Sequence, residues 1–379
     1  MQKEKRQNIG IVTFPISEAG VVPLRNLVDI AYPLTDNLYL LTGNAGYSFF
    51  KQEQRIRVNG IQYNLGSNIL TKIVRYAFAQ LQISYKLAQA SKKIDLFIFF
   101  TGGPILLLPM LTSKLLRKRV ILAVSGSDTQ SLQARNSVLS LPVRFMVRIN
   151  LELSNNIVLY SQALIRQYNL QKYRHKISIA HRHFLDLDKF KLLNQLSERE
   201  NLVGYIGRLS EEKGILNFVK AIPGILKQQD EAKFLIGGEG RLRDKIDKYL
   251  DQENLNSKVK LLGWIPHDEL PKYLDELKLL VLPSYTEGLP NIMLEAMACG
   301  TPVLATPVGA IPDILKDEET GFIMKDNSPE CIARNVIRAL NHPDLEQITV
   351  NAHQLVGKEY TYEAAKEAYR NILTSLRPR

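Results

Sequence analysis

The sequence predicts an α/β protein built from two doubly wound, Rossmann-like domains that face each other across a cleft. Three observations support this. At 379 residues the chain is too long for one comfortable core. Short apolar segments alternate with helical patterns in both halves, which is typical of parallel sheets covered on both faces. A polar, charged stretch separates the two halves.

The predicted strands of the first half are rich in Ile, Val, Leu or Phe and are bounded by Gly, Asp, Asn or Ser. They are Ile9–Phe14, Leu38–Thr42, Leu96–Thr101, Val120–Val124, Ile157–Ser161 and Ile177–Ala180. A helical pattern runs from Ile69 to Lys93. The apolar segment Leu96–Leu111 is shorter than the ~20 residues of a membrane span, so it predicts a strand, a Gly turn and a helix.

The second half repeats the strand and helix alternation after the polar segment Leu192–Glu200. Its strand segments read "LVGYIG", "KFLIGGEG", "KVKLLGW", "KLLVLPS" and "PVLATP". We therefore predict two domains, at 1–195 and at 196–379. The last helix, from about Thr361 to Ser375, could pack back on the first domain.

Composition favours a protein of a reducing compartment. The two cysteines, Cys299 and Cys331, give no disulfide framework. The N-terminal "MQKEKRQ" is followed by "IGIVTF", which is too short for a secretory signal and predicts a first strand. We expect a cytoplasmic location, with the inner face of the membrane as a peripheral site.

Charge is distributed unevenly between the halves. Residues 1–195 hold 26 Lys and Arg against 10 Asp and Glu, a net charge of +16, whereas residues 196–379 hold 23 against 28, a net charge of −5. No nucleic-acid-binding signature accompanies the basic half, so nucleic acid is not an expected partner. The segment "KLLRKR" at Lys114–Arg119, beside "PILLLPML", favours an anionic membrane surface. A solvated basic face is the alternative.

Two cations follow the first predicted strand of the second half. In "GYIGRLSEEKG" the strand ends at Gly207, and Arg208 and Lys213 come directly after it. A guanidinium fork and a point charge at one strand end suit a diphosphate. The alternative is a loop with ordinary surface charges.

The next two strands end in glycines. "LIGGEGRLRDKI" places Gly238 at a turn into a helix N-terminus, which can approach an anion closely, although a plain strand-to-helix turn explains it as well. "LLGWIPHDELPKYL" places the backbone of Trp264 and Ile265 where a base edge could bind. Core packing is the alternative for Trp264, and on its residue type the more frequent one.

A pair of glutamates lies in "SYTEGLPNIMLEAMACGTPV". Glu287 occupies a turn, and Glu295 lies about one turn into a short apolar helix that ends at Gly300. A carboxylate can accept two hydrogen bonds from a vicinal diol, so each glutamate could hold a sugar ring. Alternatively, Glu287 is a turn residue and Glu295 a buried cap or ion-pair partner.

Together these segments resemble the donor-binding domain of the family-4 retaining glycosyltransferases of the GT-B fold, also called glycosyl transferases group 1. The matching segments are "GRLSEEKG", "GGEGRLRDKI", "LLGWIPHDELPKYL" and "LPSYTEGLPNIMLEAMACGTPVLATPVGAIPDIL", over roughly residues 201–325. Each segment is weak evidence by itself, and the set in family order is specific.

The resemblance implies roles for these residues. Glu295 matches the position that binds the nucleotide ribose, Glu287 the position that contacts the donor sugar, and Arg208 with Lys213 the diphosphate pair. The catalytic residues we expect are Arg208, Lys213 and Glu287. The donor-binding residues we expect are Gly20, Gly207, Gly238, Trp264, Ile265, Gly288, Leu289, Pro290, Asn291 and Glu295.

The first half departs from the family pattern. The loop after the first strand, "PISEAGVVPLRN", has a single glycine, Gly20, and the strand "VILAV" ends in "SGSD". Ser125 therefore stands where many members have His, and we assign it, with Asp128 nearby, to the acceptor side. Asp186–Asp188 resembles a metal-binding D-x-D motif but precedes the domain linker, and His181 and His183 are typical of a polar loop. No metal is expected.

The function implied is transfer of a sugar from a nucleotide diphosphate sugar, UDP- or GDP-linked, with retention of configuration. The acceptor would be a saccharide, a lipid or a lipid-linked glycan. A catalytically weak or inactive sugar- or nucleotide-binding protein of the same fold is the alternative, and no cofactor beyond the co-substrate is expected.

Overall fold

The computed structural model describes residues 6–64, 66–124 and 140–377, and the chain divides into two compact units. The first unit is Met1–His183 together with Tyr362–Arg379, and the second is Phe184–Thr361. This division lies before the boundary at 195/196 that the sequence suggested. The polar segment Leu192–Glu200 belongs to the second unit, because the amides of Leu193 and Asn194 donate to buried Asp275 Oδ1 at 3.0 and 3.1 Å.

The described residues of the first unit form a parallel sheet of seven strands in the order β3-β2-β1-β4-β5-β6-β7. The strands are β1 Ile9–Thr13, β2 Leu38–Gly43, β3 Arg57–Ile61, β4 Leu96–Phe100, β5 Arg119–Ala123, β6 Asn156–Leu159 and β7 Ile177–Ile179. The central strands β1 and β4 are buried along their whole length. The strand order reverses between β1 and β4, which makes their carboxyl ends the topological switch point of this sheet.

Helices connect these strands. They are α1 Val21–Ala31, α2 Ala45–Phe50, α3 Ile69–Ala90, α4 Leu107–Leu115, α5 Ser140–Leu153 and α6 Ala163–Gln167. The chain's last helix, α14 Tyr362–Ser375, belongs to this unit and packs against α1. Tyr362 there donates its hydroxyl to the carbonyl of Asp29 at 3.0 Å.

The second unit has a parallel sheet of six strands within the described residues, in the order β10-β9-β8-β11-β12-β13. The strands are β8 Leu202–Ile206, β9 Lys233–Gly237, β10 Val259–Gly263, β11 Leu279–Leu282, β12 Val303–Ala305 and β13 Phe322–Ile323. The helices are α7 Ile215–Leu226, α8 Arg243–Gln252, α9 Leu270–Glu276, α10 Asn291–Ala298, α11 Ile311–Ile314, α12 Pro329–Leu340 and α13 Leu345–Glu359. Here the strand order reverses between β8 and β11.

The second unit contains a buried ion pair between Arg199 and Asp275. Arg199 lies 3.2 Å from Asp275 Oδ1 and donates to the carbonyls of Leu277 and Cys299, both at 2.9 Å. Burial lowers the pKa of Arg199. The charge is retained because the guanidinium has several acceptors around it, which a buried ion needs. Burial also raises the pKa of the Cys299 thiol to about 12, so this cysteine is an inert packing residue.

The structure confirms the predicted two-sheet α/β fold. Every strand proposed from the sequence is present within three residues of its expected bounds, and the helix proposed for Ile69–Lys93 is α3 followed by a 3₁₀ turn. The strands that the sequence did not suggest are β3 and β13. β3 is a half-exposed edge strand with little apolar signal, and β13 has only two residues.

Candidate active site

The candidate residues of the second unit all follow the carboxyl ends of neighbouring strands. Gly207, Arg208 and Lys213 follow β8, Gly238 follows β9, Trp264 and Ile265 follow β10, and the segment Glu287–Glu295 follows β11. These four strands are adjacent in the sheet, and β8 and β11 flank its switch point. Parallel strands bring such loops to one edge, where ligands of open α/β sheets bind.

Glycines let the first three of these loops pack backbone against backbone. Gly238 has φ +129°, and a Cβ there would lie 1.9 Å from the carbonyl oxygen of Gly207. Its amide donates to the carbonyl of Gly263 at 2.6 Å, and the amide of Gly207 donates to Gly237 at 2.9 Å. The strand ends are thereby fastened to one another, and the loops leave little side-chain bulk at the sheet edge.

Lys213 and Glu287 form the central ion pair of the site. Lys213 Nζ lies 2.6 Å and 2.7 Å from the two carboxylate oxygens of Glu287, whose side chain is only 7% exposed. Ser284 Oγ donates to the same carboxylate at 2.7 Å. Gly214 makes this approach possible: it has φ +68°, and a Cβ there would lie 1.9 Å from the carbonyl oxygen of Pro283. Two donors therefore hold the Glu287 carboxylate in place. Its hydrogen bonds to the lysine ammonium are charge-assisted, and such bonds are shorter and stronger than neutral ones.

Arg208 is placed differently from Lys213. Its guanidinium is 71% exposed, and Nη1 lies 3.4 Å from Glu212 Oε1. Its carbonyl accepts a hydrogen bond of 2.7 Å from the Tyr205 hydroxyl, whose pKa burial raises. The main chain of Arg208 is therefore held, while its side chain remains accessible and weakly paired.

Glu295 lies on the buried side of α10 and hydrogen bonds to His267. The distance from His267 Nε2 to Glu295 Oε1 is 2.9 Å. Burial raises the pKa of the Glu295 carboxyl, and the hydrogen bond from His267 acts in the opposite direction. A buried carboxylate with one partner has unused acceptor capacity, because each ionised carboxylate can accept several hydrogen bonds.

The sequence reasoning did not single out His267, although it lies in the quoted segment "LLGWIPHDELPKYL". Its Nδ1 lies 3.0 Å from Lys189 Nζ, which also pairs with Asp268 Oδ1 at 2.6 Å. A lysine ammonium only donates, so Nδ1 accepts from Lys189 and the proton of His267 is on Nε2, aimed at Glu295. The signal available in the sequence was a histidine in the same short segment as Trp264 and Ile265, the residues predicted to meet the base.

The loop between the two glutamates is fastened to the turn after β12. The amide of Ala310 donates to the carbonyl of Gly288 at 2.8 Å, and a Cβ at Gly309, which has φ +62°, would lie 2.2 Å from the Glu287 carbonyl oxygen. Leu289 and Pro290 are buried, and α10 begins at the exposed Asn291. The positive end of that helix therefore lies directly after Glu287 in the chain.

Trp264 is 76% exposed, so the interpretation of this residue as a core tryptophan is wrong. It follows Gly263, whose φ of +69° turns the chain away from the strand. Ile265 packs over Gly237, where an added Cβ would lie 2.4 Å from Ile265 Cδ1. The exposed indole and the strand end therefore remain available at the same edge as Glu295.

The residues predicted in the first unit are only partly described. Gly20 ends the 3₁₀ turn Glu18–Gly20 after β1 and precedes α1, and its Cα lies close enough to Ile16 that an added Cβ would be at 3.0 Å. Ser125 and Asp128 lie outside the described residues. Between His181 and His183, Arg182 is buried and its guanidinium lies 4.6 Å from the centroid of the Phe100 ring.

Acidic and histidine side chains do not gather into a metal site among the described residues, where no group of three or more His, Cys, Asp or Glu could hold an ion. Asp186 of the D-x-D segment caps a turn, since its Oδ1 accepts from the amides of Asp188 and Lys189 at 3.1 and 3.2 Å. The described helices also include none that is both long and apolar enough to cross a membrane.

The fold is that of GT-B glycosyltransferases. Among solved structures, it is similar to Anabaena Alr3699/HepE, crystallised in complex with UDP, with a TM-score of 0.77 and 18% identity. That match covers 98% of this chain and 100% of the other. Residues 188–355, which include the ion pair and Glu295, match the family model of Glycosyl transferases group 1. The matched residues all lie within the second unit.

Curated relatives share the second half most clearly. An uncharacterized glycosyltransferase of Methanocaldococcus jannaschii is 34% identical over 174 residues, which is 45% of this chain and 44% of that protein. The chain thus spans about half the length of the curated relatives it matches first. A Campylobacter jejuni protein matches over 93% of this chain and 95% of its own length at 24% identity. It is named GalNAc-α-(1→4)-GalNAc-α-(1→3)-diNAcBac-PP-undecaprenol α-1,4-N-acetyl-D-galactosaminyltransferase.

Proposed function

We propose that the protein is a retaining glycosyltransferase that moves a sugar from a nucleotide diphosphate sugar to an acceptor. The observation that carries this proposal is the ion pair of Lys213 and Glu287 across the switch point of the second sheet, with Glu295 on the helix that follows. A buried carboxylate, a half-buried ammonium and a helix N-terminus at one sheet edge are groups that a nucleotide sugar needs.

The nucleotide would be held by Glu295 and the end of β10. Glu295 has acceptor capacity for a ribose diol, and burial excludes water that would compete for it. The backbone of Trp264 and Ile265 would meet the base edge, with the exposed indole beside it. A UDP-linked donor is favoured over a GDP-linked one because the similar Anabaena protein was crystallised with UDP.

The diphosphate would lie against Arg208, Lys213 and the amides of Gly207, Gly238 and the α10 N-terminus. Arg208 can fork onto two phosphate oxygens, and Lys213 supplies a point charge. Glu287 would contact hydroxyls of the donor sugar while it keeps Lys213 oriented. In the structure Glu287 holds Lys213 in place, which limits the reorganisation that donor binding requires.

In the reaction we propose, the bond from the sugar to the diphosphate breaks and negative charge grows on the leaving phosphate. Arg208, Lys213 and the positive end of α10 stabilise that charge, which lowers the barrier by electrostatics. The acceptor hydroxyl attacks from the side of the leaving group, and the leaving phosphate takes its proton. This order of events keeps the anomeric configuration and assigns no protein base.

The acceptor class we propose is a saccharide or a lipid-linked glycan at the cytoplasmic side of a membrane. The similar Campylobacter jejuni protein is named for an undecaprenol-linked acceptor. Gly20 follows the first strand of the other unit and is the residue there that we assign to the donor phosphates. Ser125 and Asp128 are assigned to the acceptor side.

The main experiment measures sugar transfer directly. Purified protein is incubated with UDP- and GDP-linked sugars and candidate acceptors, and the nucleoside diphosphate and the anomeric configuration of the product are determined. We expect Lys213→Ala to lower turnover by the equivalent of about 2–5 kcal/mol, since it removes one partner of a buried charge pair. Lys220→Ala is the matched control, because Lys220 is an exposed lysine on α7.

A catalytically inactive nucleotide-binding protein of the same fold is the second candidate, favoured by Ser125 and by the single glycine after β1. It predicts that nucleotides raise the melting temperature while no donor is consumed, with or without acceptor. Product with inverted configuration would contradict the retaining mechanism, and equal turnover by wild type and Lys213→Ala would remove Lys213 from the site.

A further inference from the structure

Helix α3 has two apolar faces, and only one of them is used within the protein. The inner face carries Ala79, Ile83 and Leu87, all buried. The outer face carries Leu70, Val74, Phe78, Leu81 and Tyr85, which follow each other at the three- and four-residue intervals of one helix face. An amphipathic helix of a globular protein normally has polar residues there.

The inner face is sufficient to hold α3 in place. Gln80 Oε1 accepts a hydrogen bond of 2.9 Å from the amide of Leu108 at the start of α4, and the Tyr76 hydroxyl lies 3.7 Å from Met146 Sδ on α5. The N-terminus is capped as well: Asn68 and Thr71 form a reciprocal capping box. Polar residues at the outer positions would leave these contacts intact, so the packing of α3 does not explain why its outer face is apolar.

The exposure of the outer face is large. Its five side chains are between 57% and 71% exposed, and Ile69 and Ile73 at the start of the helix are exposed too. In the second unit, the exposed large apolar residues among those described are scattered over different elements. They are Leu192, Leu193, Trp264, Tyr285 and Val350. A contiguous patch of the α3 kind marks an interaction surface.

Helix α4 packs against α3, and α5 packs against α4; both expose further apolar residues. α4 exposes Leu108, Leu111 and Leu115, and α5 exposes Leu141 and Phe145. We call the outer residues of α3 with these exposed residues of α4 and α5 the α3 surface.

Charge on these helices is almost entirely positive. α3 and α4 contain no Asp or Glu, and α5 contains only Glu152, which pairs with Lys172. The exposed cations include Arg144 and Arg148 on α5, which lie on the same helical stripe as Leu141 and Phe145. Apolar residues with basic neighbours and few acids complement an anionic lipid headgroup layer.

The segment Lys114–Arg119, which the sequence suggested as the membrane contact, has other partners. Lys114 Nζ donates to Asn155 Oδ1 at 2.7 Å, and Lys118 Nζ donates to the carbonyl of Ile94 at 2.8 Å. Arg119 donates to the carbonyl of Leu376. Burial lowers the pKa of Lys114. These cations tie strands and helices of the first unit together, so α3 is the better candidate.

We propose that the α3 surface is a docking site for an anionic lipid bilayer, on which α3 lies in the plane of the headgroups. Phe78, Leu81 and their neighbours enter the boundary between headgroups and acyl chains, while Arg144 and Arg148 meet lipid phosphates. The evidence for this surface is the exposure and charge of its residues, and it does not depend on the proposed function. Only the proposed use of the surface, contact with a lipid-linked acceptor, rests on that function.

The experiment is co-sedimentation of the full chain with vesicles of phosphatidylcholine alone or mixed with phosphatidylglycerol. We expect wild type to pellet with the anionic vesicles at low salt, and less at physiological salt, where the Debye length is about 8 Å. Leu70→Ser/Phe78→Ser/Leu81→Ser should weaken binding about tenfold or more, because three inserted apolar side chains are lost. Arg144→Glu/Arg148→Glu should weaken it about as much at low salt.

Val350→Ser, an exposed apolar residue on α13, is the control and should bind vesicles like wild type. Each variant is also tested for its thermal shift with UDP. Reduced vesicle binding by the α3 variants with an unchanged thermal shift supports the proposal. Wild-type protein that consumes donor but stays in the supernatant overturns the surface and leaves the proposed function intact. A wild-type dimer that the serine substitutions make monomeric, without vesicle binding, shows a self-association surface and also overturns it.

Discussion

Glu295 is a carboxylate within an apolar helix, and its surroundings suggest why it is kept there. Within the part of the chain that the structure describes, its side chain hydrogen bonds to His267, an exposed residue that can move when a ligand arrives. Lys189 and Asp268 hold the other side of that imidazole. We interpret His267 as a positioning residue that keeps Glu295 oriented and ionised until the ribose replaces or joins it.

The raised pKa of Glu295 predicts a pH dependence of nucleotide binding. The ionised carboxylate accepts hydrogen bonds from the ribose diol, and the protonated acid loses part of that capacity. As the pH falls through the raised pKa, which lies above the ordinary 4.5, affinity for UDP should decrease. Calorimetric titrations with UDP between about pH 5 and pH 8 measure this loss of affinity.

Two variants separate Glu295 from other titrating groups. Glu295→Gln should bind UDP more weakly and with less pH dependence. His267→Ala should move the loss of affinity to higher pH, because His267 lowers the Glu295 pKa. An identical pH profile in wild type and Glu295→Gln would assign the dependence to another group.

The two glutamates should differ in which ligand they affect. Glu295→Gln is expected to weaken both free UDP and the sugar donor, since this residue would contact the ribose. Glu287→Gln is expected to spare UDP and to reduce donor binding or turnover, because it would contact the sugar. A hydrogen bond to a charged group contributes about 1.5–3 kcal/mol, which calorimetry resolves. Equal losses of UDP affinity in both variants would contradict this division of roles.

At the scale of elements, the strands were predictable because their apolar residues are consecutive and their ends carry Gly, Asp or Asn. For the loops, the sequence predicted which residues could bind a ligand but not which of them contact each other. Lys213 and Glu287 were both identified from the sequence, but they are 74 residues apart, and their contact depends on the pairing of β8 with β11. His267 was missed for the same reason: only the packing of α9 and α10 brings its loop to Glu295.

Gly238 should be indispensable to the sheet edge. Alanine there would have φ in a region that L side chains rarely adopt, and its Cβ would collide with the Gly207 carbonyl. We expect Gly238→Ala to lower the free energy of unfolding by about 2 kcal/mol or more and to abolish UDP binding. Denaturant unfolding and thermal shift measure the two effects.

Gly357 provides the matched control for this substitution. It lies in α13, and a Cβ at this glycine would meet nothing within 4 Å. Gly357→Ala should stabilise the helix by about 0.5–1 kcal/mol, since alanine is the better helix former. A Gly238→Ala protein as stable as Gly357→Ala would show that the β8–β9 loop packing is not needed.

At the scale of the molecule, the two units differ in charge and in apolar surface. The basic half of the sequence forms most of the unit that carries the α3 surface, and the more acidic half forms the unit with the candidate donor site. The charge difference was visible in the sequence. The apolar patch was not, because a helix with apolar residues all round looks in sequence like a buried one. Only the exposure of each side chain identifies its free face.

Each unit has its own parallel sheet, and the second has its own buried core, so we predict that the donor ligand stabilises one unit selectively. In differential scanning calorimetry the full chain should unfold in more than one transition, as multidomain proteins commonly do. UDP at 100 times its dissociation constant should stabilise the unit of Phe184–Thr361 by about 2.7 kcal/mol and raise its transition temperature. The other transition should move much less, because Glu295, Trp264 and Lys213 belong to the second unit and Gly20 is the one residue of the first unit that we assign to the phosphates. Glu295→Gln should reduce the shift at the same UDP concentration, and Lys220→Ala should not. Equal shifts of both transitions with UDP would contradict selective stabilisation of the second unit.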